Sequence, residues 1–258
     1  MNDKRLNPIQ EEAMNYAIKK SRLYGKNTLF DRKIRFIRLG YNEEIMVKTI
    51  DYLKHHVEIT INVAFVTIFT FLIKDTHYKN QFETNTSKGS LSPVCRTQWE
   101  TKLFNGIYNK SVVNKDRVKY GAINIYNDLS GNSSTLAYGD CFFVLKHDVR
   151  SRCTISVGDS SEMNIDIGTF HHPEIILTLI TDRMLECLIE KNILNKDIKS
   201  INSYYLEVQI HGDIILAKDI ESLNIPKTYK TSEHKNIINE MNQIIKYCSN
   251  NGILLYYF

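Results

Sequence analysis

The chain has 258 residues, 43% of them apolar, which is enough to bury a core, and its length is compatible with a single domain over residues 1–258. Its 33 basic and 29 acidic residues are interspersed, so the formal net charge of +4 comes from scattered side chains and not from a basic block. The composition therefore gives no reason to expect a nucleic-acid partner.

The five cysteines lie far apart and form no Cys-x-x-Cys pair, so the sequence predicts reduced thiols and no metal or redox centre. The residues from Met1 to Arg5 lack the apolar run and the cleavage site of a secretory signal. The uncharged segment from Ile59 to Ile73 is shorter than the ~20 residues of a membrane-spanning helix and is rich in β-branched residues. We therefore expect a cytosolic protein without a membrane partner, in which this segment is a buried strand or a strand that runs into a core helix.

Helix signals occur along the whole chain. Asn7 followed by Pro8 is typical of an N-cap with proline in the first turn, and Gly25 predicts where this first helix ends. Carboxylates in the turn after Asn42 predict a second helix that reaches His55.

The middle and the end of the chain give weaker helix signals. Polar residues with glycine, serine and proline predict a loop over Thr76 to Gly106, with a short helix around Trp99 to Phe104. Apolar residues at helical spacing predict a helix from Pro173 through Ile189. A last helix is expected near Ser232 to Cys248.

Short alternating runs separated by turn residues begin at Val118 and are typical of a mixed or antiparallel sheet. The expected fold is therefore α+β, with a mainly helical N-terminal lobe over residues 1–110 packed on a mixed or antiparallel β-sheet core in a β-rich lobe over residues 111–258. The predicted strands are Lys119 to Tyr126, Asp140 to Leu145, Cys153 to Val157 and Tyr204 to Ile210.

The segment from Tyr204 to Gly212 carries the strongest candidates for chemistry. Side chains of a strand alternate between its faces, so Leu206, Val208 and Ile210 are expected to face the core. A solvent-facing row is the alternative for the opposite face, since antiparallel sheets commonly wet one face. The lack of lysine and the terminal His-Gly pair favour a row selected for contact with a ligand. That row consists of Tyr205, Glu207, Gln209 and His211.

Two other predicted strands show the same alternation. Thr154 and Ser156 offer small hydroxyls on one face, against which a flat ligand could lie. Asn124 is either an amide that recognises a ligand or an inter-strand hydrogen-bonding residue.

Short motifs follow one another along the chain. They are Gln81-Phe82-Glu83-Thr84 with Ser87 and Gly89, Trp99-Glu100 with Leu103-Phe104 and Gly106, Lys119-Tyr120-Gly121-Ala122 with Asn124, Gly139-Asp140-Cys141, Gly158-Asp159-Ser160, and Glu207-Val208-Gln209-Ile210-His211-Gly212. Together they resemble one bacterial domain-of-unknown-function family, which includes the CteC-type effectors that ADP-ribosylate ubiquitin on threonine. The sequence departs from the family pattern at Asn62 to Phe65, where a polar stretch with His and Pro is usual, and at Lys79, where an Arg is usual.

The resemblance implies a sheet core of the ADP-ribosyltransferase type, NAD as substrate and no metal. Glu207 is then the carboxylate that stabilises positive charge on the ribose as the bond to nicotinamide breaks, and Gln209 and His211 are the catalytic residues beside it. The resemblance also implies residues that bind the dinucleotide, with hydroxyls at the nicotinamide: Gln81, Glu83, Thr84, Asn124, Thr154, Ser156 and Ser160.

The resemblance implies a protein acceptor, a threonine of ubiquitin in the CteC-type members, and delivery into a host cytosol as an effector. The catalytic motif of ADP-ribosyltransferases typically ends in a Glu, with a Glu or Gln two residues before it. In this sequence the carboxylate, Glu207, comes first and the amide, Gln209, second. This order leaves open which side chain meets the ribose and which meets the acceptor. Because an amide cannot act as a base, a hydroxyl acceptor needs His211 or Glu207 to take its proton.

Other chemistries fit the residues less well. Adjacent His171 and His172 point away from each other and precede Pro173, which predicts a helix start and not a metal site. The sequence contains no Gly-x-x-x-x-Gly-Lys loop and no Gly-x-Ser-x-Gly elbow, which argues against ordinary nucleotide hydrolases and esterases. Two alternatives stay open: an NAD glycohydrolase, in which water replaces the protein acceptor, and a catalytically inactive protein-binding module of the same fold.

Overall fold

The computed structural model describes residues 5–84, 92–162 and 166–258. Ser87 and Gly89, which belong to the predicted loop and to one motif, lie outside the described residues, as do Met1 to Lys4. Within the three described ranges, no helix is long and apolar enough to cross a membrane.

Helices cover much of the described chain. The α-helices are α1 (Pro8–Asn27), α2 (Leu29–Arg38), α3 (Glu43–His55), α4 (Phe65–Thr70), α5 (Gln81–Thr84), α6 (Pro93–Leu103), α7 (Glu174–Leu179), α8 (Asp182–Leu188), α9 (Leu216–Asp219), α10 (Lys227–Lys230) and α11 (Lys235–Asn251). Short 3₁₀ segments occur at Leu72–Lys74, Asn114–Asp116, Ser133–Tyr138 and His147–Arg152, and a π-helical turn occurs at Ile189–Ile193.

An eight-stranded mixed sheet forms the centre of the protein, in the order β10-β9-β4-β1-β3-β7-β5-β6. Its neighbours pair antiparallel except β10 and β9, which run parallel, and β2 pairs with β8 outside this sheet. The predicted combination of helices with a mixed sheet is therefore confirmed. The strands are β1 (Glu58–Val63), β2 (His77–Tyr78), β3 (Lys119–Asn124), β4 (Cys141–Leu145), β5 (Cys153–Val157), β6 (Gly168–Thr169), β7 (Leu206–Ile210), β8 (Ile214–Ile215), β9 (Ile220–Ile225) and β10 (Leu254–Tyr257).

Strand β1 comes from the mainly helical part of the chain yet lies in the interior of the sheet, between β4 and β3. Its β-branched residues suit a strand that is buried on both faces. Helix α4 follows directly, so the predicted strand that runs into a core helix is confirmed.

Two apolar clusters hold the sheet. The larger one covers the sheet face that carries Ile61, Ile155 and Val208, and packs it against α3, α7, α8 and α11. The smaller one lies on the opposite face and joins Ala13 and Ala17 of α1 to the end of α6, around Phe104 and Tyr108. The smaller cluster covers only part of this sheet face, and a ligand can reach the sheet where the face is left uncovered.

The first helix continues past Gly25 to Asn27, so the predicted helix end is wrong. A Cβ at position 25 would lie 3.1 Å from the Glu174 carboxyl carbon, so this glycine serves close packing against α7 rather than helix termination. Helix α2 then begins at Leu29 and was not predicted.

Other boundaries differ for local reasons. The helix predicted from Pro173 through Ile189 breaks at Ile180, because the Thr181 hydroxyl caps a new helix by accepting from the Met184 amide at 3.3 Å. The last helix ends at Asn251 and is capped by Gly252, whose φ of +65° is the left-handed conformation that favours glycine. Strands β9 and β10 were missed.

Candidate active site

A row of aligned residues crosses four strands at the centre of the sheet. Thr60 of β1 lies opposite Ala122 of β3, Ala122 lies opposite Glu207 of β7, and Glu207 lies opposite Ser156 of β5. Aligned residues on paired strands project to the same face, so these side chains share the face away from the larger apolar cluster. The predicted alternation along β7, with Leu206, Val208 and Ile210 in the core, is confirmed.

A cavity of about 300 Å³ opens above this row. Glu207 lies in its wall with the charged residues Arg96 and Asp159. The size falls at the lower end of the roughly 300–1,000 Å³ of small-molecule sites. Aromatic side chains line much of the rest, at Tyr78, Trp99, Tyr120, Tyr138 and Tyr205.

Glu207 is 4% exposed, and burial raises the pKa of its carboxyl to about 7. Hydrogen bonds from Ser160 and Gln209 act in the opposite direction, and the charge of Asp159 raises the pKa further. A carboxyl whose pKa is raised toward neutrality is a better proton acceptor when it is ionised than an ordinary carboxylate is.

Gln209 holds Glu207 in place. Its Nε2 donates to the Glu207 Oε1 at 2.7 Å and to the Ser156 Oγ at 3.0 Å, and its Oε1 accepts from the Thr154 Oγ1 at 2.8 Å. Gln209, Thr154 and Ser156 are all buried, and none of them lines the cavity. The predicted nicotinamide-contacting hydroxyls thus lie behind Glu207 in this structure, where they fix the amide that orients it.

His211 lies outside the cavity and is fully buried. The Phe104 ring meets its imidazole edge-to-face, with centroids 5.2 Å apart and planes at 87°. Burial, together with the charges of Arg152 and Lys119, lowers the pKa of His211 to about 3. A neutral, covered imidazole is poorly placed to take a proton from an acceptor, which leaves Glu207 for that role.

The hydrogen bonds of His211 fix its tautomer. The Thr154 hydroxyl uses its proton on Gln209, so at its 3.3 Å contact with the His211 Nε2 it accepts from Nε2–H. The His211 Nδ1 is then an acceptor for the Tyr108 hydroxyl at 2.8 Å. The donors therefore run in one direction, from Tyr108 through His211, Thr154 and Gln209 to the Glu207 carboxylate.

Helix α6 supplies two cavity residues that were not predicted to belong to the site. Arg96 and Trp99 lie three positions apart on one face of this helix, and both line the cavity. The pair Ser92-Pro93, like Asn7-Pro8, was a signal for a helix start at Pro93 and could have placed Arg96 beside Trp99.

A buried ion pair joins Glu100 of α6 to Arg117, which precedes β3. The Glu100 carboxylate receives the Arg117 Nη1 at 2.6 Å and the Tyr120 hydroxyl at 3.2 Å. Burial raises the pKa of Glu100 to about 7 despite these partners. The Glu100 carboxylate thus orients the Tyr120 ring in the cavity wall. In the sequence, Glu100 was noted only as part of the motif Trp99-Glu100.

The three residues predicted to flank the nucleotide on α5 separate into two groups. Gln81 lines the cavity, and its Oε1 is buried without a hydrogen-bond partner among the described residues, so it is available to a donor on a ligand. Glu83 and Thr84 do not line it. The Glu83 Oε2 accepts from the Asn80 amide at 2.9 Å and the Thr84 hydroxyl donates to the Asn80 carbonyl at 3.1 Å, so both stabilise the start of the helix.

The remaining predicted residues also divide. Ser160 lines the cavity beside Glu207. Asn124 does not, and its Nδ2 donates to the Glu58 Oε2 at 2.8 Å on the neighbouring strand, so of its two interpretations the structure favours the inter-strand one. Lys79 forms an ion pair with Asp75 outside the cavity, and Arg96 supplies a guanidinium within it.

A second cavity of about 360 Å³ adjoins the first and shares Tyr138, Asp159 and Tyr205 with it. The Tyr138 and Tyr205 rings stack with centroids 6.1 Å apart and planes at 30°. Burial raises the pKa of the Tyr205 hydroxyl, and the charge of Glu207 raises it further. The two spaces form one site that is divided by a pair of tyrosines.

The fold and the site define a mixed α/β protein with a buried carboxylate in an aromatic cavity. Residues 53–197, more than half of the chain, match the family described as "Protein of unknown function (DUF3626)", and the chain belongs to this family. No curated protein shows a significant match to the chain. The matched residues include Arg96 and Trp99 and end before β7, which carries Glu207.

Proposed function

We propose that the protein is a mono-ADP-ribosyltransferase that transfers ADP-ribose from NAD to a protein acceptor. The observation that carries this proposal is the position of Glu207, whose nearly buried carboxylate forms part of a cavity wall and is held by Gln209. A fixed carboxylate in a water-poor site stabilises an oxocarbenium-like ribose better than a mobile one in water.

The cavity residues suit a dinucleotide. The Arg96 guanidinium can bind a diphosphate through paired hydrogen bonds, which Lys79 outside the cavity cannot do. Trp99 and the tyrosines offer ring faces to a nicotinamide or an adenine. The unpartnered Gln81 Oε1 can accept from an amide or an amino group. The first cavity has room for about one half of NAD, and the adjoining second cavity extends the site.

The transfer step balances without another reactant. The bond between the ribose C1′ and the nicotinamide nitrogen breaks, the nicotinamide leaves as a neutral molecule, and an acceptor hydroxyl oxygen bonds to C1′. The hydroxyl proton passes to Glu207 and then to solvent. Because the Glu207 pKa is about 7, this carboxylate can serve both as charge stabiliser and as base.

We further propose a hydroxyl acceptor on ubiquitin, a threonine, on the basis of the motif resemblance to the CteC-type effectors. Action on ubiquitin would place the protein in a host cytosol. NAD glycohydrolase activity is the second candidate, and the 4% exposure of Glu207 favours it, since water reaches an enclosed carboxylate more easily than a protein side chain does.

One experiment separates these activities. Nicotinamide release from NAD is measured with and without ubiquitin, and ubiquitin is analysed by mass spectrometry for ADP-ribose on threonine. Release that requires ubiquitin and modifies it supports the transferase, release without any protein supports the glycohydrolase, and no release in either case supports an inactive binding module.

The variant Glu207→Ala is expected to lower nicotinamide release by about 10²–10³-fold, as loss of a group that stabilises transition-state charge commonly does. Glu221→Ala removes an exposed carboxylate on β9 and serves as the matched control with unchanged release. Full activity in a folded Glu207→Ala protein would remove Glu207 from the mechanism.

A further inference from the structure

Helix α2 turns its apolar face toward solvent. Phe30, Ile34 and Ile37 recur at helical spacing, share one face, and are exposed to 71%, 48% and 70%. Surface helices of globular proteins normally bury such a stripe in the core and turn their charged face outward. In α2 this stripe faces solvent, while Arg32 and Phe36 on the opposite side are buried.

Two arginines on the opposite face hold the helix in this orientation. Arg32 is 3% exposed and donates to the Gly25 carbonyl at 2.8 Å and to the Thr28 hydroxyl. Arg35 donates to the Asp182 carboxylate at 2.8 Å and to the Ile180 carbonyl at 2.6 Å. Rolling the helix to bury its apolar stripe would break these bonds, so the exposed stripe is a stable feature of the fold.

Basic side chains precede the stripe. The last turns of α1 expose four of them, and none of these forms an ion pair with a described residue. On α2, by contrast, the ion pairs of Lys33 with Glu43 at 2.7 Å and of Arg38 with Asp182 at 2.6 Å neutralise the charge. Asp31, in the first turn of α2, is exposed and forms no ion pair with a described residue, so the unpaired charge of the stripe and of the chain that precedes it is four cations against one carboxylate and is positive on balance. The four residues are Lys19, Lys20, Arg22 and Lys26.

We propose that this surface docks on an anionic lipid bilayer. An apolar stripe that enters the interface beside cations that meet anionic headgroups is the arrangement of an interfacial amphipathic helix. A second copy of the chain fits less well, because a stable interface involves some 20–30 residues and about 800 Å² per partner, far more than the seven residues of this surface supply. The surface, called the α2 face, consists of Phe30, Ile34 and Ile37 with Lys19, Lys20, Arg22 and Lys26.

The α2 face shares no residue with the cavity walls, so the proposal is independent of the proposed transferase activity. It revises the sequence-based expectation that no membrane takes part in the function. The contact is peripheral, through one side of a short helix.

Co-sedimentation of the full chain with vesicles tests the proposal. Binding is expected to vesicles of equal parts phosphatidylserine and phosphatidylcholine, to be much weaker with phosphatidylcholine alone, and to fall as salt is added. The double variant Phe30→Gln with Ile37→Gln keeps helix-forming residues. It is expected to bind at least about tenfold more weakly, since two apolar side chains no longer enter the interface. Leu129→Gln, which changes a residue that is 85% exposed elsewhere, is the control with unchanged binding.

A charge-reversal pair tests the electrostatic part. Arg22→Glu with Lys26→Glu is expected to abolish the preference for phosphatidylserine, whereas Lys235→Glu with Lys246→Glu on α11 makes the same change in net charge and retains it. No binding to either vesicle, or equal binding by the Phe30→Gln and Ile37→Gln protein, would overturn the proposal. So would a dimer in solution that the same double variant dissociates, because the α2 face would then be covered by a second copy.

Discussion

The two ends of the polar face of β7 meet opposite environments. At one end Glu207 opens onto a cavity, and burial raises its pKa to about 7. At the other end His211 lies under Phe104 and Tyr108, and its pKa falls to about 3. Both shifts favour the neutral form, yet only Glu207 can meet a ligand. The difference comes from what lies above the strand and not from the strand itself.

Removing the cover from the closed end is expected to have the largest effect on stability. Phe104→Ala deletes a fully buried ring and should lower the free energy of unfolding by about 3–5 kcal/mol. Phe71→Ala makes the same change at a side chain that is 59% exposed and should cost about 0.5 kcal/mol or less. Denaturant titration of both variants measures the difference, and equal losses would mean that Phe104 does not hold the closed end.

At the open end, replacement of Glu207 should raise the free energy of unfolding instead of lowering it. The pKa of Glu207 is raised from 4.5 to about 7 in the folded protein, so its contribution to stability is present at low pH and is lost as the pH rises through this window. Glu207→Gln should therefore leave stability nearly unchanged at pH 4 and raise it at pH 8, by on the order of 2 kcal/mol. Denaturant titration at both pH values measures this, with Glu221→Gln on β9 as control. A gain of equal size at both pH values would contradict the assignment.

Gln209 connects the two ends, and its loss should shift the pH dependence of activity. Nicotinamide release is expected to rise with pH through about 7 as Glu207 ionises. Gln209→Met removes an N–H donor that favours the ionised carboxylate, so the rise should move upward by about one pH unit. Gln243→Met on the exposed side of α11 is the control. An unshifted profile would show that Gln209 does not act on the Glu207 charge.

The smallest effect is expected at Tyr108, the residue with which the series of hydrogen bonds to Glu207 begins. Tyr108→Phe removes the hydroxyl that bonds to the His211 Nδ1 and leaves a buried acceptor unsatisfied, at a cost of about 1 kcal/mol. Nicotinamide release at saturating NAD should change little, since Tyr108 does not line the cavity. Tyr256→Phe on the half-exposed strand β10 is the reference in thermal unfolding. A large loss of release with normal stability would instead assign Tyr108 a direct part in the reaction.

Much of the sheet could be predicted because side-chain alternation is a local property. The pattern from Leu206 to Ile210 assigned the core face of β7 correctly, and the buried strand after Val57 was found from another local property, its run of uncharged, β-branched residues. What covers each face is not local. Nothing within β7 distinguishes Glu207 from His211, because the covering ring of Phe104 comes from a segment about a hundred residues earlier in the chain.

The candidate site was predictable in part for the same reason. Glu207, Gln81 and Ser160, which were predicted to meet NAD, line the cavity, whereas Thr154 and Ser156 are turned to Gln209 by strand pairing that the sequence alone does not specify. Arg96 was missed although a local signal existed, the Ser92-Pro93 cap. Asn124 depended on its register with Glu58, which only the assembled sheet reveals.

Strand β7 lies between β3 and β5, which come from earlier in the chain and do not pair with each other. These two neighbours therefore keep open edges until residues 206–210 are inserted between them. The inserted strand is also the one that carries Glu207. Sheet closure and delivery of the carboxylate are consequently the same folding event, and one that requires contacts between distant parts of the chain. A partly folded chain that lacks this strand has no Glu207 at the cavity, so the proposed activity requires that β7 has paired with both neighbours.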